Sequence, residues 1–488
     1  MKKIIAGENG NLGKWDVLEI ETKGFFDGNP FADFHIAGKF SGENESAIVD
    51  GFYDGGGVYK VRFMPSFEGE YHYEISGSFA QTAKNGNFTV TPPEKNNHGP
   101  VRTANRYHFA YADGTPFYPI GTTCYAWTHQ PAELQQQTFE ELKRGCFNKI
   151  RFCVFPKHYV FNEKEPEIYP YEGEPLKNWN FKKFNPEYFR RFEKRIGELG
   201  DLGIEADIIV MHPYDHWGFS DMGPENDDLY WKYIIARFAA FRNVWWSFAN
   251  EYDLMETKSI SDWERYAKIL CEKDKYNHLR SIHNGSVFYN HNRPWVTHCS
   301  IQRQEGEKAD EWREQYGKPV VFDEMCYEGN IVHGWGNISA RELVYRFWQA
   351  AVHGGYGGHG ETYMHPNDIL WWSHGGKLHG ESPERIKFLL NLLYETPGTG
   401  LKKYKSDDIF GSEMSVAVPE NATTDYYLIY LGKSTPTFCE CSFDENADYE
   451  AELIDTWEMK INKLGAMRGK MRIELPGKEY MAIRIRKI

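Results

Sequence analysis

The chain has no long apolar run. Its N-terminus, Met1-Lys2-Lys3-Ile4-Ile5-Ala6, holds three consecutive apolar residues, against the roughly 7–15 of a secretory signal core. No window approaches the roughly 20 apolar residues of a membrane-spanning helix. Cysteine is sparse, at 8 residues. No C-x-x-C pair occurs, and Cys439/Cys441 is the closest couple. The expectation is reduced, mostly buried thiols in a cytoplasmic protein. Basic blocks are missing as well. Lys+Arg is 56 against 70 Asp+Glu, a net charge of −14, which makes nucleic acid and anionic membrane poor partners. Gly354-Gly355-Tyr356-Gly357-Gly358 lacks the Lys-Ser/Thr of a phosphate-binding loop, and no H-E-x-x-H helix is present. Neither a cofactor nor a metal is expected.

Aromatic residues are plentiful, at 16% with 15 Trp and 31 Tyr. Flat ring faces suit the C–H faces of sugars, although composition alone points only to an aromatic core. With 488 residues, the chain is long enough for about three domains, or one large barrel with additions.

Residues 1–91 read as all-β. Val58–Phe63, Tyr71–Ile75 and Phe88–Val90 alternate apolar and polar positions. Residues 92–100, rich in Pro and Asn, read as a linker. From 101 to 400, short apolar runs alternate with amphipathic segments. The runs are Phe117–Thr123, Lys149–Phe155, Ala206–Met211, Val244–Ala249, Leu279–Ile282, Trp295–Ser300, Pro319–Phe322 and a glycine-rich one near Gly354–Glu361. Helix starts are legible at Asn185-Pro186 and Ser382-Pro383, and as capping boxes at Ser261–Glu264 and Ser339–Glu342. Eight strand candidates, mostly separated by helices, predict an α/β fold, a (β/α)8 barrel. Residues 401–488 return to strands, so the predicted architecture is a barrel between an N-terminal and a C-terminal β-sandwich domain.

Two of the barrel runs end in carboxylates. Val244–Ala249 is followed by Asn250-Glu251, and Pro319–Phe322 by Asp323-Glu324. Counted from Phe117, these are the fourth and seventh strands, and the C-terminal strand ends of such a barrel form its active-site face. The glutamates are 73 residues apart, which suits three compact βα units. Two carboxylates across a barrel mouth are the equipment of glycoside hydrolysis, one protonating the leaving oxygen and the other attacking the anomeric carbon. Glu328 is the rival for the second role. Glu324 is preferred because it directly ends the apolar run.

These motifs resemble clan A of the glycoside hydrolases, whose pattern is a strand-4 Asn-Glu and a strand-7 Glu. The stretch Gly114–Thr123, followed by Tyr125-Ala126-Trp127, also looks like the opening of the apiosidase-like glycosidases. Thr122-Thr123 stands where those proteins commonly carry an acidic residue, so their substrate is not carried over. The resemblance implies a retaining glycoside hydrolase, with Glu251 as general acid then base, Asn250 on the sugar 2-hydroxyl, Glu324 as nucleophile, and an oligosaccharide or glycoside as substrate.

Further candidates come from the residues themselves. Arg151, inside the second strand, could orient a carboxylate or belong to a structural ion pair. His212, Asp215 and Trp217, after the third strand, are candidates for sugar contacts. His298 could sit beside the nucleophile or be a core histidine. Of Trp371 and Trp372, one could floor the sugar site. The segment Pro156–Asn185 reads as a lid after the second strand. Two alternatives stand beside the glycosidase reading: a non-catalytic carbohydrate-binding barrel, and a metal-dependent hydrolase using His212 and His216.

Overall fold

The computed structural model describes residues 3–5, 12–25, 27–79, 83–175, 177–364, 370–404, 414–422 and 425–488. Its centre is a parallel barrel of eight strands: β1 (Gly121–Thr123), β2 (Lys149–Cys153), β3 (Glu205–Met211), β4 (Val244–Ala249), β5 (Arg280–Ser281), β6 (Cys299–Gln302), β7 (Val320–Glu324) and β8 (Tyr356–His359). Hydrogen-bonded neighbours run 5-4-3-2-1-8-7-6, and a single parallel bridge between His283 and Ser300 joins β5 to β6 and closes the ring. The β2, β3, β4 and β7 strands are buried along their whole length, as strands covered on both faces must be.

Helices follow every strand except β5, where residues 282–298 cross to β6 without one. The helix Pro186–Asp201 starts with proline in its first turn, and Asn185 accepts a hydrogen bond from the Glu187 N–H. Ser339 caps Ala340–Val352 in the same manner. The helix expected to open at Ser261 begins earlier. Its capping box is Ser259 with Asp262, which leaves Ser261 inside the first turn. Two expected strands also differ in extent. The run Phe117–Thr123 splits at Pro119, which has no N–H to donate. Pro116–Phe117 pairs antiparallel with His108–Tyr111 in a small three-stranded sheet, and only Gly121–Thr123 enters the barrel. The sixth strand starts at Cys299 rather than Trp295, because Arg293–Val296 turns, with Val296 N–H bonded to the Arg293 carbonyl, while the Trp295 ring stacks on Phe248 at 4.4 Å.

The N-terminal region forms a four-stranded and a five-stranded sheet. Phe40 of one stacks on Phe63 of the other at 4.3 Å. It is joined to the barrel by buried charges. Arg62 donates to Glu19 at 2.7 Å and twice to Glu193 at 2.9 Å, and Arg237 bonds Glu193 at 2.8 Å and Asp54 at 2.9 Å. The C-terminal region has a six-stranded antiparallel sheet and a two-stranded one. Val416, Ile429 and Ile483 of the first pack with Cys439, Cys441 and Ile473 of the second. Trp348 of the barrel stacks on Tyr430 at 5.1 Å.

Candidate active site

Within the barrel, below the mouth, is a layer of charge. Lys149 Nζ lies 2.8 Å from Asp207 and 2.6 Å from Asp323, and Ser300 donates to Asp323 at 2.5 Å. Arg151 sits beside them, 3.5 Å from Asp207 and 3.9 Å from Asp323. Its Nη1 reaches to 3.9 Å from Glu324. Arg151 thus belongs to the ion layer, and its Nη1 also faces the carboxylate at the end of β7.

The mouth brings Glu251, Glu324 and Asn250 together. Asn250 Oδ1 lies 3.1 Å from the Tyr125 hydroxyl oxygen, and its amide donates to Glu251 Oε2 at 3.1 Å. The same Tyr125 hydroxyl donates to Glu324, and the Tyr214 hydroxyl donates to Glu251. Gln302 Nε2 lies 3.4 Å from Glu251 Oε1, and His283 Nε2 lies 3.4 Å from Glu324 Oε1. Glu251 adopts a left-handed backbone, φ +51°. A non-glycine residue holds that conformation at a cost, and such strain gathers at functional sites. Only 8% of Glu251 and 4% of Glu324 is exposed.

The two carboxylates are pushed in opposite directions. Burial raises the Glu251 carboxyl above its ordinary range, and the neighbouring charge of Glu324 raises it further. Burial alone would raise Glu324 too. The His283 hydrogen bond and charge, Arg151 and the Tyr125 hydroxyl outweigh it and hold Glu324 below the usual range. The two carboxyls are thus held apart, Glu251 above and Glu324 below the ordinary range.

Other expected residues fall elsewhere. His212 is buried with Nε2 3.2 Å from the Phe155 carbonyl, and burial depresses it to about 3. Asp215 accepts from the backbone N–H groups of Trp217 and Ser220 and so shapes its own loop. Trp217 donates to Glu165 at 2.9 Å and stacks on Phe219. His216 bonds the same glutamate, so His212 and His216 have separate partners. Among the described residues no group of three or more His, Cys, Asp and Glu is placed to hold a metal ion. His298 does not approach Glu324. Its ring lies edge-on against Phe109 and Trp245, because its strand begins later than expected. Trp371 is buried and donates to Thr122 at 2.8 Å. Trp372 is half-buried, with its ring against Tyr125, Tyr159 and Tyr327. Glu328 accepts from the N–H groups of Glu381 and Ser382 at the start of the helix Ser382–Tyr394.

Sequence reasoning passed over His283, Tyr125, Tyr214, Tyr327, Gln302 and Lys157. His283 carried a signal, since it directly follows the fifth apolar run, and Glu251 and Glu324 stand just past theirs. Tyr214 lies between two residues that were singled out. Lys157 gave none, because a lone lysine in a loop is normally solvated.

A (β/α)8 barrel with a mouth of this kind is the framework of a glycosidase. Residues 103–397 match the apiosidase-like catalytic domain family, and the chain belongs to that family. Its flanks match two domains of unknown function, DUF5060 over residues 11–78 and DUF5605 over residues 414–486. A provisionally assigned glycoside hydrolase from Bacteroides vulgatus ATCC 8482 is 36% identical, over 98% of this chain and 100% of that one, with a TM-score of 0.92. A glycoside hydrolase of family 5 from the same organism shares the fold, with a TM-score of 0.62 at 16% identity over 80% of this chain and 94% of that one. No curated protein matches the chain.

Proposed function

We propose that this glycosidase cleaves O-glycosidic bonds with retention, by double displacement on an oligosaccharide or glycoside. The observation that carries the reading is the meeting of the two glutamates in one buried hydrogen-bonded cluster at the barrel mouth, which pushes Glu251 up and Glu324 down. In the first step a Glu324 oxygen attacks the anomeric carbon. As the bond to the leaving oxygen breaks, Glu251 gives that oxygen its proton. In the second step Glu251, now ionised, takes a proton from water. The water oxygen bonds to the anomeric carbon, and the ester to Glu324 breaks.

The surrounding residues serve this division. His283, Arg151 and Tyr125 stabilise Glu324 as an anion, which an attacking group must be. Burial of Glu251 keeps its proton available. Asn250 fixes Glu251 against Tyr125, and its resemblance to the clan A asparagine supports a contact with the sugar 2-hydroxyl. The half-buried face of Trp372 supports stacking on a sugar ring. A mass-spectrometric screen of oligosaccharide and aryl-glycoside panels tests the proposal. Wild type should cleave at least one class with the anomeric configuration kept, and Glu324→Gln should cleave none. Inverted products from wild type would refute retention.

A further inference from the structure

Lys157 is 2% exposed, yet its ammonium has no hydrogen-bond or ion-pair partner among the described residues. It lies over aromatic rings instead, with Nζ 3.4 Å from the centroid of Tyr125, 4.1 Å from Tyr214 and 4.6 Å from Tyr159. Burying an unpaired charge is costly, and cation–π contacts recover only part of that. Two of the three rings are also those whose hydroxyls reach the glutamates. Tyr125 donates to Glu324 and Tyr214 donates to Glu251.

We propose that Lys157 is a positioning residue that sets the ionisation of both glutamates through these two tyrosines. This rests on the assignment of Glu251 and Glu324 as the reacting pair. A cation over a phenol ring draws electron density from it and makes the O–H a stronger donor to an ionised carboxylate. Burial lowers the Lys157 ammonium from its ordinary range while Cys153, Glu251 and Glu324 pull it back up, and the positive charge it carries acts in return on both carboxylates through a low-dielectric interior. Both effects favour the ionised form, so one ammonium offsets the burial that pushes the two groups upward. The aromatic cage keeps Lys157 from collapsing onto either glutamate, which would block the attacking oxygen or the leaving-group proton.

Other ionisable groups face this cluster. They are Arg151 and Cys153 on β2, Asp207 and His212 on and after β3, His283 after β5, Asp323 and Tyr327 on and after β7, and Tyr159 on the lysine's own loop. All are unchanged in a Lys157 variant, so a shift in such a variant reports the lysine. The test is the pH profile of kcat/KM for the full chain on the best aryl glycoside of the panel, with Lys157→Met, Lys157→Gln and Lys157→Arg. In the Met and Gln variants both limbs should move to higher pH, by about one unit. Loss of the cation makes each carboxylate harder to ionise. Lys157→Arg should keep both limbs near wild type, and KM should change less than about twofold, since the ammonium is enclosed by rings. Melting temperature should hold or rise in Lys157→Met, because an apolar replacement removes an unpaired buried charge. A uniform loss of rate with both limbs fixed, or a KM increase alone, would overturn the proposal. A Glu324→Ala enzyme that stayed active would instead overturn the assignment beneath it.

Discussion

His283 Nε2 stands 3.4 Å from Oε1 of Glu324, and both side chains are buried. This imidazole is the leading influence that holds the carboxyl low against burial. Replacing His283 with Ala should therefore raise the Glu324 carboxyl and carry the acidic limb of the rate profile to higher pH. Turnover should fall by about ten- to a hundredfold. The alkaline limb should move much less. An unmoved acidic limb would separate His283 from the control of Glu324.

Glu324→Ala should lose turnover by at least about a thousandfold. Azide should restore part of it, because a small anion can occupy the space of the missing carboxylate, and the azide product should have inverted configuration. Near-wild-type activity in this variant would remove Glu324 from the mechanism.

The alkaline limb should belong to Glu251, whose carboxyl is raised by burial and by the charge of Glu324. In the proposed mechanism it acts protonated, so activity is lost as pH rises through its pKa. On a substrate whose leaving group needs no proton, Glu251→Ala should keep the first step and lose that limb. A limb that persisted would have to come from another group.

Arg62 and Arg237 share Glu193 at the join between the N-terminal sheets and the barrel. Arg62→Leu strips the buried Glu19 and Glu193 of a partner and should cost about 3–5 kcal/mol, read by denaturant unfolding. Deleting residues 1–98 should leave an insoluble or thermally weakened barrel. A stable, fully active truncation with weaker affinity only for polysaccharide would instead make this region a recruiting module.

The barrel was legible because its strands are short, mainly apolar runs between helices, with Lys149, Arg151 and Asp207 as inward exceptions, and a run such as Val244–Ala249 can hardly be anything but a covered strand. The meeting of Glu251 and Glu324 was legible because each stands two residues past such a run. Their setting was not. Tyr125, Tyr214 and Lys157 lie on loops, where no periodicity says which way a side chain points, and they meet only because strands 1, 2 and 3 are neighbours. Of its two alternatives His298 takes the place in the core, for a related reason. Trp295 made its strand look longer, although that ring stacks on Phe248 from a turn.

The bridge between β5 and β6 gives the barrel a seam. Elsewhere a crossover helix follows each strand, but here residues 282–298 cross without one. The seam is laced largely by side chains. The Thr297 hydroxyl accepts from the Arg280 N–H and donates to the Arg280 carbonyl, His283 Nδ1 lies 3.0 Å from Ser300 Oγ, and Asn284 Oδ1 accepts from the Gln302 N–H. His283 is thus a stitch in the wall with one ring nitrogen and a neighbour of Glu324 with the other. If the seam loosens, Glu324 loses its support before the rest of the ring comes apart. On heating, the enzyme should fall silent while its circular dichroism still reports a folded protein.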